Sequence, residues 1–150
     1  MCVRKQDNSV RLCVDYKGVN SITIDDRYPM VNANELLMKV GYAQYISSLD
    51  CNMGYFQIPL ADDGSRERSA FATHRGLWNF KRMSFGLKNA SGTFQRVRNQ
   101  ILEEEREFGN AFIDDVAVHS LTWEEHLVHL EKVLQRIEDS GLKLKLFKCK

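Results

Sequence analysis

Two aspartates side by side at an apolar corner are the residues of this chain best suited to chemistry. Asp114 and Asp115 sit between AFI and VAV, runs apolar enough to be buried strands, so the pair is expected at the tip of a tight hairpin. Asp-Asp is a poor hairpin dipeptide, because a type I′ turn takes Asn-Gly or Asp-Gly. Adjacent like charges also repel unless a cation compensates them. Asp50 ends another apolar strand. If those strands are neighbours, three carboxylates converge, and Mg2+ favours such hard oxygen ligands together with substrate phosphates. The Asp-Asp pairs at 25–26 and 62–63 lie in polar surroundings and read as turn acids. On spacing alone, then, the acids at 114–115 read either as a metal set or as turn acids too. His126 and His129 share a helix near Glu125, but no third and fourth ligand accompanies them, and they read as surface histidines.

The formal net charge of +1 hides a strong asymmetry. Between residues 64 and 98, eight basic side chains face one acid, Glu67; between 99 and 139, eleven acids face three basic residues. The basic stretch is interleaved with Phe71, Trp78, Phe80, Phe85 and Phe94. That mixture suits a polyphosphate groove, with cations for the backbone and rings for bases or sugars, or else a solvated face over an ordinary aromatic core. Cysteines at 2, 13, 51 and 149 form no CxxC, which excludes a zinc knuckle or dithiol site and suits free thiols in a reducing compartment. No apolar run reaches the ~20 residues that span a bilayer, and the N-terminus lacks a signal-peptide core. An intracellular chain with no membrane partner is expected. A length of 150 residues without a linker suits one domain.

The elements that must position these residues follow from periodicity. Strands are expected at 10–15 and 44–50, with a loop at 20–31 and a short helix at 32–40 capped by Asn32 and Glu35. Residues 56–60 alternate briefly, and 69–74 with 78–82 form a hairpin around Arg75-Gly76. A helix at 90–105 precedes short strands at 111–113 and 116–118. The helix at 122–139 opens on a Thr122/Glu125 capping box, buries Leu127, Leu130, Leu134 and Ile137, and stops at Gly141. LKLKL at 142–146 reads as a final strand. The fold class is α+β, an antiparallel sheet with helices on one face.

Several motifs in register sharpen this reading. Asp15-Tyr16-Lys17 with Asn20, DDRYP, Leu49-Asp50 with Gly54-Tyr55-Phe56-Gln57-Ile58, Phe85-Gly86-Leu87-Lys88-Asn89-Ala90 with Thr93-Phe94-Gln95, Phe112-Ile113-Asp114-Asp115 and Trp123-Glu124-Glu125-His126-Leu127 occur in this order. Together they resemble the reverse transcriptase of gypsy-class LTR retrotransposons, from about Val3 to Cys149. The resemblance implies an RNA- and DNA-directed DNA polymerase acting on primer, RNA or DNA template and dNTPs. Fingers would occupy about 1–25 and 58–88, and palm 26–57 and 89–150. It implies two Mg2+ ions, with Mn2+ able to substitute, held by Asp50, Asp114 and the backbone carbonyl of Cys51, and supported by Asp115. Tyr55 matches the position that excludes a ribose 2′-hydroxyl; Lys5 and Arg11 match the grip on the triphosphate. Phe85 borders the nucleotide, while Gly86, Asn89 and Gln95 match the template and primer border.

The chain departs from the family pattern at Ser84 and Ser91, where prolines are usual, at Val10, where tryptophan precedes Arg11, and at Phe112 and His119, where tyrosine is common. Losing two fixed φ angles is expected to loosen the loop between them. Thumb and RNase H segments of a Pol polyprotein are expected to lie outside these residues, which implies weak substrate binding. A non-catalytic remnant that binds nucleic acid through the basic stretch is the competing reading. Another Mg2+ nucleotidyl enzyme on a similar sheet is a third.

Overall fold

Strict alternation builds the sheet that carries the acids. In the computed structural model, which describes residues 2–4, 8, 10–29, 33–112 and 115–150, β3 (Tyr45–Asp50), β6 (Gly109–Phe112) and β7 (Asp115–Ser120) form one antiparallel sheet in the order β3-β7-β6. Val116, Val118 and Ser120 are buried on one face of β7, while Asp115, Ala117 and His119 take the other, as a period of two requires. Leu49, Leu102, Ala111, Val116, Val118, Val133 and Ile137 make the core beneath the buried face. It is closed by α4 (Ala90–Ile101) and α5 (Trp123–Asp139).

The remaining elements are shorter. β1 (Cys2–Arg4) pairs with β2 (Val10–Leu12), and β4 (Phe71–Thr73) with β5 (Gly76–Trp78). α1 spans Lys17–Ile22, α2 Ala33–Val40 and α3 Ser65–Arg68. The chain divides into two units, Met1–Asp26 with Tyr55–Ser91 and Arg27–Gly54 with Gly92–Lys150.

The helix cap on α5 forms as expected: Glu125 N–H donates to the Thr122 hydroxyl and Thr122 N–H to the Glu125 carboxylate. Gly141 ends the helix at φ +74, a left-handed turn that a side chain would strain.

Its buried stripe is phased differently. His126, Val133 and Ile137 are buried and Leu130 packs on the core, whereas Leu127 and Leu134 are exposed. The imidazole goes inside because two hydroxyls satisfy it: His126 Nε2 lies 3.0 Å from Ser47 Oγ and Nδ1 2.9 Å from Ser120 Oγ. His126 is thus no surface residue. His129 stacks on Phe108 with ring centroids 3.8 Å apart.

Other expectations shift for local reasons. α1 runs over Lys17–Ile22 and so takes residues 20–22 from the expected loop, the Asp15 carboxylate accepting the Lys17 N–H. Residues 54–57 form a 3-10 turn, with Phe56 packed on Phe80 and Phe85 instead of alternating in a strand. Thr73 pairs with Gly76, so His74-Arg75 makes the hairpin turn. The helix at 90 stops at Ile101, and a 3-10 turn at Glu103–Glu105 follows, from which Glu104 and Glu105 pair with Arg136. The 142–146 strand reduces to one bridge, Cys51↔Leu144, beside the outer edge of β3. There Leu142 and Leu144 pack on the core, while Leu146 and Phe147 are exposed. The Asn32 side of the expected cap on α2 lies outside the described residues.

Candidate active site

Strand register brings two of the acids together. Asp50, the last residue of β3, is paired with Asp115, the first of β7, and Asp115 is paired in turn with Phe112 of β6. Paired residues on antiparallel strands point to the same face, so both carboxylates leave the sheet on the side away from the core. Asp115 therefore starts a strand and is not the tip of the turn; Ile113 and Asp114, between Phe112 and Asp115, lie outside the described residues.

Each carboxylate has a partner. Ser48, two residues before Asp50 and so on its face, donates its hydroxyl to Asp115 Oδ2 at 3.4 Å. Lys148 places Nζ 3.2 Å from Asp50 Oδ2, brought there by the tail: Lys145 N–H donates to the Asp50 carbonyl and Asn52 N–H to the Lys143 carbonyl. In that pattern the N–H and C=O of Cys51 face away from the tail, toward the β7 side of β3. Neither Ser48 nor Lys148 was marked by motif spacing. Ser48 is readable from strand alternation once Asp50 is singled out; Lys148, 98 residues from its partner, carries no local pattern.

Support comes from α4. Gln95 is buried, donating Nε2 to the Ala111 carbonyl at 3.0 Å and to Asn99 Oδ1 at 3.0 Å. Arg98 is 1% exposed, sits over the Phe94 ring, and donates to Gln95 Oε1 and to the Asp115 carbonyl at 3.1 Å. This arginine belongs to the interior and not to a solvated basic face. Among the described residues no group of three or more His, Cys, Asp or Glu side chains converges as a metal set. The donor set that is described, two facing carboxylates met by one ammonium, is nonetheless the hard-oxygen chemistry that a divalent magnesium ion takes.

The other candidates lie in the unit of Met1–Asp26 and Tyr55–Ser91. Tyr55 meets Phe85 edge to face, centroids 5.0 Å apart. Gly86 adopts φ +92, and a Cβ there would sit 3.5 Å from the Tyr16 ring and from the Val14 carbonyl. Asn89 donates Nδ2 to the Ile24 carbonyl at 2.8 Å and accepts from Asp26 N–H. Lys88 Nζ reaches the Thr23 carbonyl and Asp25, each at 3.0 Å, and Asp63 accepts from Ser65 at the start of α3. Lys5 lies outside the described residues, and of Arg11 the structure describes its place in β2 opposite Val3. No helix among the described residues is long and apolar enough to cross a membrane.

Residues 3–150 match the reverse transcriptase (RNA-dependent DNA polymerase) family. The chain is 40% identical over 146 residues to the retrovirus-related Pol polyprotein from transposon 297 of Drosophila melanogaster, covering 95% of this chain and 13% of that polyprotein. It is 36% identical over 135 residues to the one from transposon gypsy of the same fly, covering 89% and 13%. The chain thus spans a small part of the polyproteins it matches. The structure of the foamy viral protease-reverse transcriptase dRH in complex with ds DNA superposes with a TM-score of 0.89 at 24% identity, covering 99% of this chain and 26% of that one. The α+β fold with its antiparallel sheets is therefore a reverse transcriptase fold, and with a match from residue 3 to the last residue the chain belongs to the reverse transcriptase family, in the form found in gypsy-class retrotransposon Pol polyproteins.

Proposed function

We propose that this chain carries the nucleotidyl-transfer centre of an RNA- and DNA-directed DNA polymerase, which joins dNTPs to a primer 3′-hydroxyl. The observation that carries the reading is the in-register pair Asp50 and Asp115 on one open sheet face, in a chain of the reverse transcriptase family. In this reading about 1–25 and 58–88 are fingers and 26–57 and 89–150 are palm, a division supported by the two units Met1–Asp26 with Tyr55–Ser91 and Arg27–Gly54 with Gly92–Lys150.

Asp50, Asp114 and the Cys51 carbonyl would hold two magnesium ions, or manganese in their place, with Asp115 beside them. When bound, the metal supplies the Lewis acidity that activates a hydroxyl nucleophile and neutralises a leaving pyrophosphate. The side chains do the rest. Ser48 orients the Asp115 carboxylate, and Arg98 pins the main chain at Asp115, so the acids are held before substrate arrives. Lys148 balances Asp50 in the metal-free chain. Lys5 and Arg11 would grip the triphosphate, the guanidinium through its planar fork. Tyr55, braced by Phe85, would exclude the ribose 2′-hydroxyl by steric clash. Gly86 and Asn89 would border the template, and Gln95 would act from beneath by fixing β6 through Ala111.

Primer extension on annealed RNA and DNA templates tests the reading. Extension should require Mg2+ or Mn2+ and disappear in Asp114→Asn. Extension that survives this substitution unchanged, or salt-sensitive oligonucleotide binding without incorporation in any metal, would overturn it.

A further inference from the structure

We propose that Asn20 is a positioning residue for sugar selection, acting through the turn at Gly86–Lys88 and the Phe85 ring on Tyr55. The inference rests on Tyr55 being the residue that excludes a ribose 2′-hydroxyl. One side-chain amide holds both ends of the turn: Asn20 Nδ2 donates to the Gly86 carbonyl at 2.8 Å, and Oδ1 accepts the Lys88 N–H at 2.9 Å. Only a side chain with a donor and an acceptor in one plane does this at that length; aspartate lacks the donor and leucine lacks both.

Gly86 sits at φ +92, where glycine is free to move. A Cβ there would meet the Tyr16 ring, itself tied by hydrogen bonds to Ser69 and Ser84. The next residues are held in the same manner, with the Asn89 amide bridging Ile24 and Asp26 and Lys88 Nζ reaching Thr23 and Asp25. Residues 86–89 are thus fastened to residues 20–26 by polar side chains meeting main chain.

Phe85 precedes this turn and carries its position to the rings. It meets Tyr55 at 5.0 Å and 62° and Phe56 at 5.3 Å and 80°, both edge to face. Such pairs depend on ring angle as well as distance. A turn that drifts takes the Phe85 backbone with it and shifts the ring on which Tyr55 packs, and a gate that works by clash works only while its ring is held at one angle.

The test uses the whole chain with Asn20→Leu, which keeps the heavy-atom count and the branch at Cγ but neither hydrogen-bonding group, and Asn20→Asp, which keeps the acceptor for Lys88 and loses the donor to Gly86. Amide exchange at Lys88, the Tyr55 ring resonances and the ratio of dNTP to rNTP incorporation are read together. Expected in Asn20→Leu are faster Lys88 exchange, shifted Tyr55 resonances and a discrimination ratio lower by about tenfold. Asn20→Asp should keep Lys88 protected yet still shift Tyr55. Fast Lys88 exchange with Tyr55 resonances unmoved in either variant would overturn the proposal, as would an unchanged ratio. A wild-type chain that extends no primer would refute the polymerase reading, while the amide and ring measurements would still decide whether Asn20 positions Tyr55.

Discussion

Asp50 and Asp115 stand directly opposite one another at the ends of two antiparallel strands, so the sheet holds two like charges in a cross-strand pair. Opposed like charges weaken a sheet by roughly 0.2–1 kcal/mol. The Lys148 ammonium offsets part of this at Asp50, and the pair is exposed enough that its own contribution is small. A metal-free chain is therefore slightly strained where a divalent cation would relieve it. Asp115→Asn should melt about 1–3 °C higher than wild type in chelator, lose part of the melting increment expected from Mg2+ in the wild type, and lose about a thousandfold in extension. Differential scanning fluorimetry with and without Mg2+ checks this. A variant that melts lower in chelator, or keeps the full magnesium response, would contradict it.

The two serines that stand where proline is usual should behave differently. Ser84 is buried and donates to the Tyr16 hydroxyl at 3.0 Å, while that hydroxyl donates to the Ser69 carbonyl; burial pushes the Tyr16 pKa up, so the phenol stays protonated. Here the departure from proline adds a buried hydrogen bond. Ser84→Ala should cost about 1 kcal/mol by leaving the phenol oxygen short of a donor. Ser91 is exposed in the first turn of α4, where N–H groups have no intrahelical partner. Ser91→Pro should be neutral or stabilise by up to about 1 kcal/mol, because it restricts the unfolded chain. Urea midpoints read both, and a larger loss for Ser91→Pro than for Ser84→Ala would reverse the assignment.

These serines show where sequence reading stops. Asp50 and Asp115 were legible because acids are conspicuous at the ends of apolar, alternating strands, and the start of α5 was legible because a capping box is a local pattern. Which face of α5 is buried was not legible: leucine looks like core at 127 and 134, but the buried position is taken by His126, made acceptable by Ser47 and Ser120 from other strands. Arg98 misleads in the same way, since a charge is counted toward the surface until its carbonyl and amide partners are known. Lys148 reaches Asp50 only because the tail returns along β3. Long-range satisfaction of polar groups leaves no periodic trace.

That buried imidazole sets the acid limit of stability. His126 is 2% exposed, with Ser47 on Nε2 and Ser120 on Nδ1. Ser120 Oγ also lies 2.8 Å from His129 Nδ1. One hydroxyl proton serves only one acceptor, so the chain of bonds is complete with a neutral His126 accepting at one nitrogen and donating at the other. Burial, with His129 nearby, holds the His126 pKa below the ordinary 6.5. Burial, with Lys39, His129 and His126, lowers His119 as well. Between 6.5 and those lowered values the unfolded chain binds more protons than the folded one, so stability is full above 6.5 and falls as pH drops through the window. The limiting slope is about 1.4 kcal/mol per pH unit for each such histidine. Urea midpoints should be level from pH 8 to 7 and decline toward pH 5.5. His126→Gln, which keeps a donor and an acceptor for the two serines, should decline less steeply. Wild-type midpoints equal at pH 7.5 and 5.5, or an identical decline in His126→Gln, would show that this imidazole is not what the acid side titrates.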